Sequence, residues 1–157
     1  MSSDDQDRVA ICVASFYQEL ADPLEQSARE AFEQAGISDI DRFEVPGAFE
    51  LPLICRYAAE SGRYAAIVAL GAVIRGETSH YDYVCGEAAR GIQDVQLLTG
   101  VPVGFGVLTV DNAEQARARV RGGAKRDTAV HAVHAALASL AVKRELTQRP
   151  RKAGFSA

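Results

Sequence analysis

Apolar runs of strand length alternate along the chain with stretches whose apolar positions recur every three or four residues, the pattern of β-strands exchanging with helices. Val9 to Ala14 is an unbroken apolar run. Asp22-Pro23 then predicts a helix start, an N-cap followed by proline at the first helical position. Leu24, Ala28, Ala31, Phe32 and Ala35 share one face of that helix, and Gly36 can end it. Ile40 to Val45 is a second, weaker strand. Phe49 to Ser61 is helical, with Leu51, Ile54, Cys55 and Ala58 inward, Pro52 in its first turn and Gly62 as the stop. Ala66 to Val73 is the third strand. A helix from about Tyr81 to Thr99 follows, striped by Val84, Ala88, Ile92 and Val95 and closed by Gly100. Val103 to Thr109 is the fourth strand, and Asp111-Asn112-Ala113-Glu114 opens a short helix with capping-box logic. The last helix carries Ala129, Ala132, Val133, Ala136, Leu137 and Leu140 on one stripe.

Strands joined through helices pair in parallel. The expected fold is therefore α/β, a three-layer sandwich of flavodoxin-like type with a four-stranded parallel sheet flanked by helices. At 157 residues the chain is most simply one domain, 1–157, with 1–7 and 145–157 expected to be flexible. In such sheets ligands bind beyond the carboxyl ends of the strands. Three of the four ends carry unusual residues: Ser15-Phe16-Tyr17, then Val45-Pro46-Gly47-Ala48-Phe49-Glu50, then the loop from Arg75 to His80.

Composition narrows the function classes. A formal charge of −4 is unlike a general nucleic-acid or membrane-surface binder, which is usually basic. Cys12, Cys55 and Cys85 are odd in number and set in apolar segments, which fits reduced thiols better than disulfides or zinc ligands. The acidic start Met1 to Asp7 has no basic n-region and no apolar h-region, and no apolar run reaches bilayer length. The expectation is a cytoplasmic protein.

The richest stretch for chemistry is Gly71 to Val84. Gly76, Glu77, Thr78 and Ser79 leave backbone N–H groups free at a helix start, where the dipole favours an anion. His80 stands beside them, and a histidine titrates near neutrality, so it can give and take protons. Phe16, directly after a strand, either stacks on a planar ligand or caps the core. Pro46 to Glu50 offers a rigid turn, a glycine that admits a ligand, and a carboxylate that could equally complement a helix dipole. Phe105 lies between Gly104 and Gly106, a sign of close approach by another backbone or a ligand. Arg75 and Arg119 are candidate phosphate partners, because a guanidinium fork suits phosphate. His131 and His134 have metal-pair spacing but no third ligand in evidence, so a solvated or interface face is the expectation.

With these residues assembled, the chain resembles the 6,7-dimethyl-8-ribityllumazine synthases of riboflavin synthesis over roughly Val9 to Leu140. The resemblance rests on five segments in order. They are Val45 to Pro52, Ala69 to Thr78, His80 to Cys85, Glu87 to Gly91 (Glu-Ala-Ala-Arg-Gly) and Val101 to Thr109. It implies condensation of 3,4-dihydroxy-2-butanone 4-phosphate with 5-amino-6-ribitylaminouracil, releasing phosphate and water, with no metal and no organic cofactor. Carried over, it makes Phe16 the ring that stacks on the pyrimidinedione. Ala48, Phe49 and Glu50, with the strand end Ala72, Val73 and Ile74, would hold the pyrimidine and ribityl group. Gly76, Glu77, Thr78 and Arg119 would hold the phosphate, His80 would transfer protons, and Phe105 would come from a neighbouring subunit. The implied partners are these small molecules and further copies of the chain, as a homopentamer, a pair of pentamers or an icosahedral capsid. Neither nucleic acid nor membrane is implied.

Two departures from the family pattern stand out. Tyr17 occupies a place where asparagine is frequent. In the segment Arg121 to Thr128, Gly123 and Asp127 fall where relatives often carry lysines near the phosphate, and a carboxylate there would repel it. Two other roles fit many of the same residues: a module that holds a flavin with little turnover, and a cage whose catalysis is secondary. The departures favour the flavin module, whereas His80, Glu50 and Arg119 together favour the enzyme.

Overall fold

The computed structural model describes residues 6–148. Four strands, β1 (Arg8–Ala14), β2 (Asp39–Val45), β3 (Ala66–Ile74) and β4 (Val103–Val110), pair entirely in parallel in the order β2-β1-β3-β4. Five helices connect or follow them: α1 (Gln18–Gln34), α2 (Leu51–Glu60), α3 (His80–Thr99), α4 (Ala113–Arg117) and α5 (Thr128–Gln148). A single 3-10 turn, Ala48–Glu50, precedes α2.

The layering follows from the two-residue period of a strand. Val9, Ile11 and Val13 of β1, with Val68 and Leu70 of β3, face α1 and α5. Ala10, Cys12, Ile67 and Ala69 face α2 and α3 on the other side. Both faces of β1 and β3 are covered, which is why these segments read as continuous apolar runs rather than alternating ones. This is the expected α/β three-layer sandwich. Its chain reverses direction of winding between β1 and β3, the place where such sheets open a crevice.

Several element boundaries differ from expectation, most of them by one or two residues, as where α2 starts at Leu51 and not Phe49. Helix α1 begins at Gln18, a turn before Asp22, so Pro23 lies inside it. The Tyr17 carbonyl accepts from the Leu20 and Ala21 N–H groups at 3.0 and 2.9 Å, and both side chains are buried. The apolar face thus extends back past the proline, and its burial outweighs one missing backbone bond. Ala35, expected on the buried face, is exposed because the helix has already ended. At the other end α5 continues through Arg144 to Gln148, past the expected flexible boundary. Arg144 makes two hydrogen bonds to the Asp7 carboxylate, at 2.9 and 2.5 Å, and this holds Asp7's pKa below its ordinary value. The remainder of the expected flexible ends, 1–5 and 149–157, lies outside the described residues.

Helix α5 approaches β4 closely at Gly104 and Gly106. A Cβ on Gly104 would stand 2.1 Å from the Ala132 carbonyl oxygen, and one on Gly106 would meet Leu70 at 2.6 Å. Because the first obstacle is backbone, it cannot swing aside as a side chain can. Gly104→Ala should therefore destabilise the fold by about 3 kcal/mol or more, read as a lowered urea midpoint. Unchanged stability would mean that α5 packs further from the sheet.

Candidate active site at the carboxyl ends of the strands

The ends of β1, β2 and β3 and the start of α3 enclose a cleft of about 750 Å³. It receives Phe16 and Tyr17 from the end of β1, the Pro46 to Glu50 turn from β2, and Ala72, Val73 and Ile74 from β3. The loop after β3 adds Gly76 and Thr78, and α3 adds His80, Tyr81, Tyr83 and Val84. Sequence reasoning foresaw most of this lining.

Each segment reaches the cleft for a local reason. Phe16 is 73% exposed, so it is no cap on the core. Tyr17 packs edge-on against it, with ring centroids 4.8 Å apart at 85°, which leaves a Phe16 face open for stacking. Tyr17 in turn rests on the α1 side of the core. In the β2 turn the Gly47 N–H donates to Glu50 Oε2 at 3.0 Å. A Cβ on Gly47 would lie only 3.0 Å from that oxygen, so the small residue lets the carboxylate close the turn. Glu50 is thus a turn-closing acceptor as well as a cleft residue.

After β3 the chain leaves the sheet and loses its backbone partners. Arg75 N–H still bonds Val110 at 2.9 Å. The N–H groups of Gly76 and Glu77 have no acceptor among the described residues. They stand beside the start of a 20-residue helix, whose dipole adds partial positive charge. His80, the first residue of α3, is exposed, and its N–H donates to Thr78 Oγ1 at 3.3 Å. A free donor pair beside a helix start is the geometry that favours an anion, and an imidazole stands next to it.

Tyr81, Tyr83 and Val84 were not foreseen as site residues. Their signal is the spacing of α3: positions 80, 83 and 84 share a helical face, so a cleft that holds His80 also holds Tyr83 and Val84. Burial pushes the Tyr81 phenol up, with the Cys85 thiol adding to the effect, so it stays protonated at neutral pH. Burial likewise raises the Cys85 thiol.

Three expected site residues do not line this cleft: Glu77, Phe105 and Arg119. Glu77 is exposed on the loop. Phe105 is 39% exposed on β4, an edge strand, on the sheet face shared with α2 and α3. Arg119 is half-buried after α4, where its Nη1 donates to the Gln115 carbonyl at 2.9 Å. Arg75, the other arginine candidate, is paired with Asp111 and Asp82 instead of facing the cleft. His131 and His134 are exposed on α5, and no group of side chains with metal-ligating spacing occurs among the described residues. The three cysteines are free, Cys12 and Cys55 buried and Cys85 partly so.

The departures are also accounted for structurally. Asp127 does not face the Gly76 and Glu77 donors. Its Oδ1 accepts from the N–H groups of Ala129 and Val130 at 3.0 and 3.3 Å, capping α5, and its Oδ2 accepts from the buried Ser27 hydroxyl at 2.7 Å. Gly123 is held by packing, since a Cβ there would meet the Ala118 carbonyl oxygen at 2.4 Å.

An aromatic-lined cleft at the switch point of an α/β sandwich is where proteins of this class take small molecules, and in this one a histidine and free N–H donors stand at its edge. Comparison with known proteins places it more narrowly. The family model for 6,7-dimethyl-8-ribityllumazine synthase matches residues 6–144. The chain is 46% identical to a protein of that name from Kineococcus radiotolerans over 145 residues, covering 91% of this chain and 89% of the relative. It is 52% identical to one from Deinococcus radiodurans over 118 residues, 73% of this chain and 76% of that one. A Thermococcus gammatolerans relative is 49% identical over 108 residues, 69% and 70% of the two chains. The chain belongs to the 6,7-dimethyl-8-ribityllumazine synthase family, transferases of riboflavin biosynthesis.

Because Asp127 serves α5 rather than the Gly76 and Glu77 donors, Asp127→Ala should cost about 1–2 kcal/mol of stability through the lost cap and the orphaned Ser27 hydroxyl. It should leave the affinity for inorganic phosphate unchanged. Tighter phosphate binding in the variant, measured by calorimetry, would show that the carboxylate does repel the anion.

Proposed function

We propose that this chain condenses 3,4-dihydroxy-2-butanone 4-phosphate with 5-amino-6-ribitylaminouracil to give 6,7-dimethyl-8-ribityllumazine. The observation that carries the proposal is the meeting of Phe16, the Pro46–Glu50 turn and the Gly76–His80 loop in one cleft. Phe16 supplies a face for the pyrimidinedione, the turn supplies backbone and carboxylate for the ribityl group, and the loop supplies an anion seat.

The chemistry asks little more than this. The 5-amino group adds to the ketone and loses water to give an imine. Phosphate then leaves with its C–O electron pair as a proton is lost from the neighbouring carbon. The enol left behind takes up a proton at its terminal carbon and gives up its hydroxyl proton to become a ketone. The ribitylamino nitrogen attacks that new carbonyl, and a second loss of water closes the ring. His80, at the rim of the anion seat, is placed to carry protons between these steps. Holding two reactants in register can supply about 7–11 kcal/mol of the barrier. Proton transfer adds roughly 10²–10⁴-fold. No metal or organic cofactor enters this scheme.

Phe105 and Arg119, absent from the chain's own cleft, complete the cleft of a neighbouring copy in this proposal. Phe49, Leu53, Tyr57 and Tyr83 are exposed large apolar side chains of the kind a second copy would cover. A homopentamer is the smallest assembly proposed, with phosphate held jointly by the Gly76–Thr78 loop and Arg119. No helix among the described residues is long and apolar enough to cross a membrane. The three free cysteines support a reducing, cytoplasmic setting.

Purified protein given both substrates should form lumazine, followed by absorbance, with phosphate released in equal amount. His80→Ala should slow turnover by about 10²-fold or more without abolishing it. A well-assembled protein with no turnover would overturn the proposal. Complete loss in a natively assembled His80→Ala variant would contradict the division between positioning and proton transfer.

A further inference from the structure

We propose that Arg75 is a positioning residue that ties the anion-seating loop to the segment carrying Arg119, and that it is not itself a phosphate ligand. The inference rests on the phosphate-binding role proposed above for the Gly76–Thr78 loop and Arg119. Arg75 is the residue at which β3 gives way to that loop. Its guanidinium is occupied on three sides. Nε donates to Asp111 Oδ1 at 3.0 Å, Nη1 lies 3.6 Å from Asp82 Oδ1, and the plane sits 4.3 Å from the Tyr81 ring centroid. Asp111 follows β4, whereas Tyr81 and Asp82 belong to the first turn of α3. One side chain therefore fixes both ends of the Gly76–Ser79 loop against the neighbouring strand.

The connection continues beyond Asp111. Its N–H donates to Gln115 Oε1 at 2.8 Å, and the Gln115 N–H donates to Asn112 Oδ1 at 2.9 Å. The Gln115 carbonyl accepts from Arg119 Nη1 at 2.9 Å. Arg75, Asp111, Gln115 and Arg119 thus form a continuous run of hydrogen bonds from this chain's loop to the arginine it would lend to the neighbouring copy's cleft. Lysine at position 75 could not reproduce it, since an ammonium lacks the planar fork and the stacking face. An arginine with two carboxylates at hand has little net charge to offer an incoming phosphate, so its contribution is to hold donors in place.

The test compares Arg75→Ala, Asp111→Ala and the double variant, all in the native assembly. Affinity for inorganic phosphate is read by calorimetry, which needs no turnover, and KM for each substrate by lumazine formation. Each single variant should weaken phosphate binding about three- to tenfold, and raise KM for the phosphate-bearing substrate in step. KM for the pyrimidine should hold. The double variant should be no weaker than the worse single, because both act through one contact. Should Asp111→Ala leave phosphate binding unchanged or tighten it while Arg75→Ala weakens it, Arg75 is a direct ligand and the proposal fails. Equal affinities throughout, effects that multiply in the double variant, or a wild-type protein that does not bind phosphate would overturn it as well. If Arg75→Ala misassembles, Asp111→Ala decides the matter, since it keeps the guanidinium. Wild-type protein that binds phosphate without making lumazine would sink the proposed reaction and leave the positioning role to be judged on phosphate affinity alone.

Discussion

Burial of β1 and β3 on both faces constrains everything else in this molecule. Their side chains from Val9 to Val13 and from Ala66 to Leu70 are fully enclosed by two helical layers, leaving no room for a polar group along either strand. A charged side chain placed there would lose its hydration without a partner. Groups capable of chemistry are therefore confined to where the strands stop. Since the strands are parallel, their carboxyl ends fall on one edge, and the chain's change of winding direction parts the loops there into a cleft. The site is a consequence of the core.

The same close packing explains why two residues that look like departures from the family are structural here. Asp127 and Gly123 lie in the passage from α4 to α5, and α5 presses against β4 closely enough that Gly104 has backbone at its Cβ position. That passage must therefore end in a helix start placed without slack. Asp127 secures it by accepting from two N–H groups of α5 and reaching across to Ser27 of α1. A carboxylate that would be unfavourable beside a phosphate is favourable at a helix N-terminus, and its position in the fold decides which effect applies.

Much of the fold was legible in the sequence, because binary patterning and helix stops are local. The strands, the α3 stop at Gly100 (left-handed at φ 73°) and a capped start for α4 were readable from a few residues, although the cap is Asn112, with Gln115 three residues on, and not the Asp111–Glu114 box. The start of α1 was misplaced because Pro23 reads as a first-turn residue, whereas the buried Leu20 and Ala21 draw the helix back beyond it. In the site, Phe16, the Pro46–Glu50 turn and His80 announce themselves by lying just after strands. The Asp127–Ser27 bond spans 100 residues and has no local signature, though aspartate just before Thr128-Ala129-Val130 is a readable cap signal. Nor could spacing reveal that Arg75 would be drawn to Asp111 and Asp82, or that Arg119 lies away from the chain's own cleft; for Phe105 that placement came only from the family resemblance. Those facts depend on how distant strand ends are brought side by side.

The central claim is that one cleft binds a planar ring on Phe16 and an anion at the Gly76–Thr78 loop. Its most direct test is a crystal structure of the assembled protein soaked with a ribitylamino-pyrimidinedione and inorganic phosphate. The account predicts the ring stacked against Phe16, the ribityl chain at the Pro46–Glu50 turn, and the phosphate on the loop's N–H groups within reach of His80. Phosphate lodged away from that loop, or a ring bound anywhere but on Phe16, would contradict it.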